Sequence, residues 1–159
     1  MHYERVYRFL AHMCRHEHIA EDLTQETFAA GWVAMGKFNG SSSLSTWLHQ
    51  IARSKFLDHC RRERRSVRVT ASEPAGPDDE SRDPLDNLLA DEQSRQLVRG
   101  LALMAPDSRE VVVLHYSQGL SYREMAHVLG APAGTVKWRV SQAMKELKAI
   151  LTSGAEHDS

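Results

Sequence analysis

Between residues 135 and 145 the sequence carries seven side chains suited to nucleic acid: Thr135, Lys137, Trp138, Arg139, Ser141, Gln142 and Lys145. An arginine can donate two hydrogen bonds to guanine and a glutamine can pair with adenine, while lysine and threonine hold phosphates. They are interleaved with Val136, Val140, Ala143, Met144, Leu147 and Ile150, at spacings that place the apolar set on one helical face. A helix over about 135–151 therefore turns the polar set outward. Just upstream, Ser121 and Glu124 make an S-x-x-E capping box, which starts another helix at Ser121. Met125, Ala126 and Leu129 form its inner face and Gly130 supplies the turn. Two helices joined by a short glycine-containing turn match the helix-turn-helix, whose second helix enters the major groove. An ordinary helical hairpin with a solvated face would show the same spacing. Trp138 is the odd member, either packed beneath the preceding helix or set against sugar and base.

A second group of polar residues lies in the first half. Glu21, Asp22, Gln25 and Glu26 form an acidic and amide patch over a Leu23/Phe28 core face. The plain role for Glu21 and Asp22 is to complement the positive N-terminal end of their own helix. The loop Asn39–Ser43 is small and polar, which suits turn and cap chemistry. The helix after it carries His49, Gln50, Arg53 and Lys55, and ends in Arg61, Arg62, Arg64 and Arg65. Such a cluster can grip phosphates, complement a helix C-terminus, or simply solubilise the surface.

Positioning these groups takes about seven helices. The first, roughly Tyr3–Cys14, places Val6, Phe9, Leu10 and Met13 on one face. The second, about Ile19–Lys37, pairs Ile19 with Leu23 and Phe28 with Trp32, with Met35 continuing the stripe. The third begins near Ser43 or Ser45 and buries Trp47, Leu48, Ile51, Ala52 and Phe56. A later one spans about 84–104 with Leu85, Leu88, Leu89, Leu97, Val98 and Leu101. A short one follows over Asp107–Ser117, ended by Gly119. The segment Ser66–Pro84 holds three prolines and most of an acidic run, and reads as a flexible linker. The expected fold is all-α, with two small helical domains at 1–65 and 85–151. The linker at 66–84 joins them and a disordered tail covers 152–159.

Charge follows the same division. Residues 1–65 hold ten Lys and Arg against seven Asp and Glu, or +3. Residues 66–92 hold two against eight, or -6, and 93–159 hold eight against six, or +2. Two mildly basic modules thus flank an acidic connector, and should hold DNA weakly unless a larger partner assists. The sequence lacks the ~20 consecutive apolar residues of a membrane span, and its N-terminus carries charges within the apolar pattern, unlike a secretory signal. Two cysteines, Cys14 and Cys60, fit a reducing cytoplasm better than a disulfide framework. His12, Cys14, His16 and His18, even with Cys60, lack the tight pairs of a zinc site, so no metal or cofactor is expected. Without a phosphate-binding glycine loop or nucleophile elbow, an enzyme is not expected either.

The stretch GLSYREMAHVLGAPAGTVKWRVSQAMKELK resembles region 4 of sigma-70 family factors, which binds the promoter -35 element, and specifically the compact extracytoplasmic-function (ECF) group. AEDLTQETFAAGW resembles the region 2 helix that docks on the polymerase clamp. FNGSSSLSTWLHQIARSKFLDHCRRERR resembles the following segment, which melts and reads the -10 element. The resemblance implies an RNA polymerase sigma factor that binds the clamp and flap regions of the core enzyme. It implies contact with the clamp by Asp22, Gln25 and Glu26. The -10 element would meet Asn39, Ser41, Ser42, Ser43, Trp47, His49, Gln50, Arg53, Lys55, Arg61 and Arg62. Capturing a flipped base costs a few kcal/mol, which the amide and hydroxyls of the Asn39–Ser43 loop would offset. The -35 element would meet Thr135, Lys137, Trp138, Arg139, Ser141, Gln142 and Lys145. An anti-sigma factor is a further expected partner, and the bacterial cytoplasm the expected location.

Two departures stand out. The AEDL motif begins at Ala20, closer to the start than is usual, which implies a shortened first helix. Trp138 replaces what is ordinarily a small polar residue in the -35 reader. Promoter elements two helical turns apart lie about 70 Å from each other, and nineteen linker residues extend roughly 60 Å at most, so two domain widths complete the span. A self-sufficient helix-turn-helix regulator and a protein-interaction decoy are the competing readings.

Overall fold

The computed structural model describes residues 1–69 and 91–157, which are helical with short connections. Helix α1 (His2–Cys14) and helix α2 (Glu17–Ala34) are joined by two residues that cap both. Arg15 takes the left-handed conformation, φ 55°, and its N–H donates to the Ala11 carbonyl. His16 is extended, and its Nδ1 accepts from the Ile19 N–H at 3.3 Å. This histidine thus closes a helix end, and His12 is buried within α1.

Apart from Leu23, the inner face of α2 is made of small residues: Ala20, Thr24, Thr27 and Gly31. The Thr24 and Thr27 hydroxyls donate to the carbonyls of Ala20 and Leu23, at 2.6 and 2.7 Å, which lets them be buried. A Cβ on Gly31 would stand 3.3 Å from Leu48 Cδ2, so the helices approach closely here. Bulky side chains are displaced from such a contact. Trp32, expected on the core stripe, is 82% exposed and Val33 beside it 86%.

A 3-10 turn (Met35–Lys37) leads to α3 (Leu44–Val69), capped by Ser43, whose Oγ accepts from the Thr46 N–H at 3.1 Å. The helix continues past the expected boundary at Arg65, so the first residues assigned to the linker are helical. Residues 70–90, with Leu85, Leu88 and Leu89, lie outside the described residues.

Helix α4 (Glu92–Leu103) starts at Asp91, whose carboxylate accepts from the Ser94 N–H and hydroxyl. Those bonds hold the carboxyl below its ordinary pKa. Helix α5 (Pro106–Val112) opens on proline, suited to a first helical position. It widens into a π turn over Val113–Ser117, closed by the Gln118 N–H on the Val113 carbonyl at 2.9 Å. Helix α6 (Tyr122–Leu129) begins at Ser121, as its capping chemistry requires, and ends at Gly130, φ 64°. Helix α7 (Ala133–His157) is longer than expected at both ends. The Pro132 carbonyl accepts from the Val136 N–H, and helical structure continues through residues assigned to a frayed tail.

The two halves do not stand apart. Helix α1 packs on α4, α5 and the π turn, and α3 packs on α6. Buried apolar side chains of both halves, from Phe9 and Leu10 to Leu114 and Met125, belong to one cluster. Arg109, 9% exposed, donates to the carbonyls of Leu101, Ala102 and Met104 at the end of α4, and to that of Met13 in α1. It thereby satisfies acceptors that helix ends leave open. Burial lowers its pKa, with Arg15 adding to the effect.

Candidate nucleic-acid interface

The outward face of α7 forms as its spacing dictates. Val136, Val140, Ala143 and Leu147 are buried, while Thr135, Lys137, Trp138, Arg139, Ser141, Gln142 and Lys145 are exposed. Trp138 is 63% exposed, so it does not pack beneath α6. On α6 the inner residues are Met125 and Val128, with Ala126 and Leu129 half-buried against them. The Glu124 N–H donates to Ser121 Oγ at 3.1 Å, which forms half of the capping box. The Glu124 carboxylate instead faces α3, accepting from the Thr46 hydroxyl at 3.2 Å.

Asp22, Gln25 and Glu26 are exposed on α2, along the same face as Ala29 and Val33. An acidic first half and an apolar second half thus make one continuous ridge. The apolar part escaped sequence reasoning, because Trp32 was assigned to the core by its spacing from Phe28. Glu26 also borders a groove with Lys55, Asp58, Arg61, Arg62 and Arg65. Arg61 pairs with Asp58 at 3.2 Å, and Arg62, Arg64 and Arg65 are exposed.

In the loop before α3, Asn39 Oδ1 accepts from the Ser41 N–H at 3.0 Å and Gly40 takes φ 76°. Ser43 is committed to the cap, while Ser41 is exposed and Ser42 half-buried. Trp47 packs on Phe38, ring centres 5.1 Å apart. Turn-and-cap chemistry therefore accounts for Asn39 and Ser43 as they stand.

The next turns of α3 hold the largest departure from expectation. His49 is 1% exposed, with Nδ1 2.7 Å from the Ser45 carbonyl and Nε2 3.1 Å from Gln118 Oε1. Burial holds its pKa below the ordinary value, partly offset by those two contacts. Gln50 Nε2 donates to the His127 carbonyl at 2.9 Å. Arg53 Nε donates to Glu110 Oε1 at 2.5 Å, with the Glu110 side chain only 5% exposed. Burial raises the Glu110 pKa, and the Arg53 guanidinium opposes the rise. Arg53, Trp138, Arg139 and Gln142 line one cleft of about 380 Å³ between the halves, with Asp107 and Glu110. Residues assigned to two separate DNA elements are thus brought together. Lys55, half-buried, stays on the groove with Glu26.

Among the described residues, no group of three or more His, Cys, Asp or Glu side chains is placed to hold a metal ion. Among them also, no helix is long and apolar enough to cross a membrane.

Comparison with known proteins agrees with this geometry. Residues 1–66 match the family model Sigma-70 region 2, and residues 94–147 match Sigma-70, region 4. The ECF RNA polymerase sigma factor SigM of Bacillus subtilis is 28% identical over 163 residues, covering 99% of this chain and 95% of that protein. The ECF RNA polymerase sigma factor SigC of Mycobacterium tuberculosis is 36% identical over 145 residues, covering 91% of this chain and 76% of that protein. Among solved structures, the sigma factor RpoE of Bartonella quintana, in complex with the anti-sigma factor NepR, is similar with a TM-score of 0.77. That match has 27% identity and covers 95% of this chain and 92% of the other. With both regions in order, and with a 36% identical relative that matches over 91% of this chain, the chain belongs to the ECF group of sigma-70 family RNA polymerase sigma factors.

Proposed function

We propose that this sigma factor divides promoter recognition between its halves, and that it acts by binding, without a catalytic site of its own. The reading rests on one observation above others: region 2 and region 4 matches occur in order, and the α7 residues suited to base edges are exposed. Asp22, Gln25 and Glu26 dock on the polymerase clamp. The residues of α3 and of the loop before it engage the -10 element as its strands separate, with Arg61 and Arg62 on phosphates. On α7, Arg139 and Gln142 read -35 base edges, while Thr135, Lys137, Ser141 and Lys145 set the helix on the backbone. A connector that starts after Val69, to which α3 extends, rather than at Ser66 allows the two halves to take up the spacing of the two elements. An anti-sigma factor is a further partner, and the bacterial cytoplasm, where polymerase works, is the site of action.

Transcription in vitro from a promoter library, with purified core polymerase, tests this directly. Specific initiation is expected only when both proteins are present, and Asp22→Lys should weaken retention on immobilised core before it affects anything else. Tight binding of the chain alone to palindromic DNA, without affinity for the core enzyme, would instead mark an autonomous regulator.

A further inference from the structure

Within the outward set of α7, Trp138 alone is chiefly apolar. At about 100° per residue, the buried Val136, Val140, Ala143 and Leu147 centre on one line of the helix. Trp138 lies almost diametrically opposite that line, with Gln142 and Lys145 beside it one and two turns on. Arg139 lies well round toward the buried side, where it borders the cleft with Glu110. The indole borders the same cleft, yet Trp138 is 63% exposed. A tryptophan side chain buries about 150–250 Å² where it packs, so leaving this one open to water forgoes a large apolar contribution. Its place in the fold is the foremost point of the face, with nothing yet seated on it.

The chemistry of the ring limits what it can read. A recognition helix lies in the major groove with its first turns nearest the bases, and Trp138 stands in the second turn after Ala133. An indole brings an apolar face and one N–H donor, but no acceptor. Guanine offers the groove two acceptors and no apolar group. Adenine sets an amino donor beside its acceptor and cytosine shows an amino donor alone, and an indole has no acceptor to answer either. Thymine presents a methyl group beside an oxygen acceptor, which is the complement of what the indole carries. Apolar wedges that part base steps are the habit of minor-groove proteins, so insertion into the stack is not expected from α7.

We propose that Trp138 is a specificity residue of this sigma factor, reading a thymine of the -35 element through its 5-methyl group. This rests on the function proposed above, since it assumes that α7 lies in the major groove of promoter DNA. Gln142 is the nearest base reader along the same line. One helical turn rises about 5.4 Å against about 3.4 Å per base-pair step, so the thymine falls within about two base pairs of the one that Gln142 reads.

Transcription from promoters with a randomised -35 element, using holoenzyme assembled from core polymerase and the full chain, gives the first test. The wild type should enrich thymine at one position of one strand. Trp138→Ser should lose that preference while keeping those at the other positions. Replacing the enriched thymine by deoxyuridine then removes the methyl group and nothing else. It should weaken binding of the wild-type holoenzyme to a fluorescein-labelled promoter fragment about fourfold, the worth of one buried carbon. The Trp138→Ser holoenzyme should bind both fragments alike. Trp138→Phe, which keeps an apolar ring, should still tell them apart, as should Arg139→Ala, which weakens binding by another route. The position is on the surface, so all of these variants should keep their helicity by circular dichroism. Unchanged thymine enrichment in Trp138→Ser would overturn the inference, as would a wild-type holoenzyme indifferent to the methyl group. Failure to initiate at any promoter would count against the proposed function and take this inference with it, whereas initiation without methyl dependence counts against this inference alone.

Discussion

The Arg109 guanidinium donates to the Met13 carbonyl oxygen at 3.1 Å, tying the last turn of α1 to the start of the DNA-reading half. Three more of its bonds gather the end of α4. Arg109→Met keeps the length of the side chain but leaves four carbonyls without this donor. It should cost about 3 kcal/mol of unfolding free energy, read by urea denaturation. Arg109→Lys should recover only part, because an ammonium cannot reach the four acceptors that a planar fork does. A loss below about 0.5 kcal/mol would show that the bonds contribute little.

His49 should give stability a pH dependence. Burial is the largest cause of its lowered pKa, so the folded chain favours the neutral ring. Above the ordinary histidine value of about 6.5 both states are neutral and the stability is fully present. As pH falls below that value, the unfolded chain takes up the proton first, and stability declines until the folded pKa is passed. The melting midpoint should therefore fall between pH 7.5 and pH 5.5, and fall less in His49→Gln. Equal slopes in the two proteins would remove the assignment.

Arg139 is exposed on α7 and free of the core, so its removal should separate recognition from folding. Arg139→Ala should lower initiation at -35-dependent promoters by about tenfold, the scale of a lost base contact of 1–3 kcal/mol. Co-purification with core polymerase should be unchanged. Loss of both together would contradict the division of labour.

The cysteines should differ in reactivity. Burial first, then the neighbouring Cys60 and Glu63, push the Cys14 thiol up to about 12. Since the thiolate is the nucleophile, the native chain at pH 8 should alkylate at Cys14 about a thousandfold more slowly than in urea. Mass spectrometry after timed iodoacetamide treatment reads this, and a rate similar to the unfolded one would disprove it.

Much of the architecture was legible in the residues. Ser121 started α6, Gly130 ended it, and the α7 apolar set was buried, because each follows from local rules of capping and period. Trp32 was misplaced because spacing cannot reveal that the inner face of α2 must be small where α3 approaches Gly31. The burial of His49 and the pairing of Arg53 with Glu110 were also hidden, since those contacts join residues 57 to 69 positions apart. Periodicity identifies a polar face but not its occupant.

The π turn at Val113–Ser117 has a consequence for how this protein can change. Successive residues of a regular helix advance by about 100°, so the wider turn sets the angle at which the chain leaves it. Trimming one residue there would tighten the coil, rotate Gln118 away from His49, and misalign the elements beyond. The segment acts as a shim, and insertion or deletion of a residue should be poorly tolerated in these five positions.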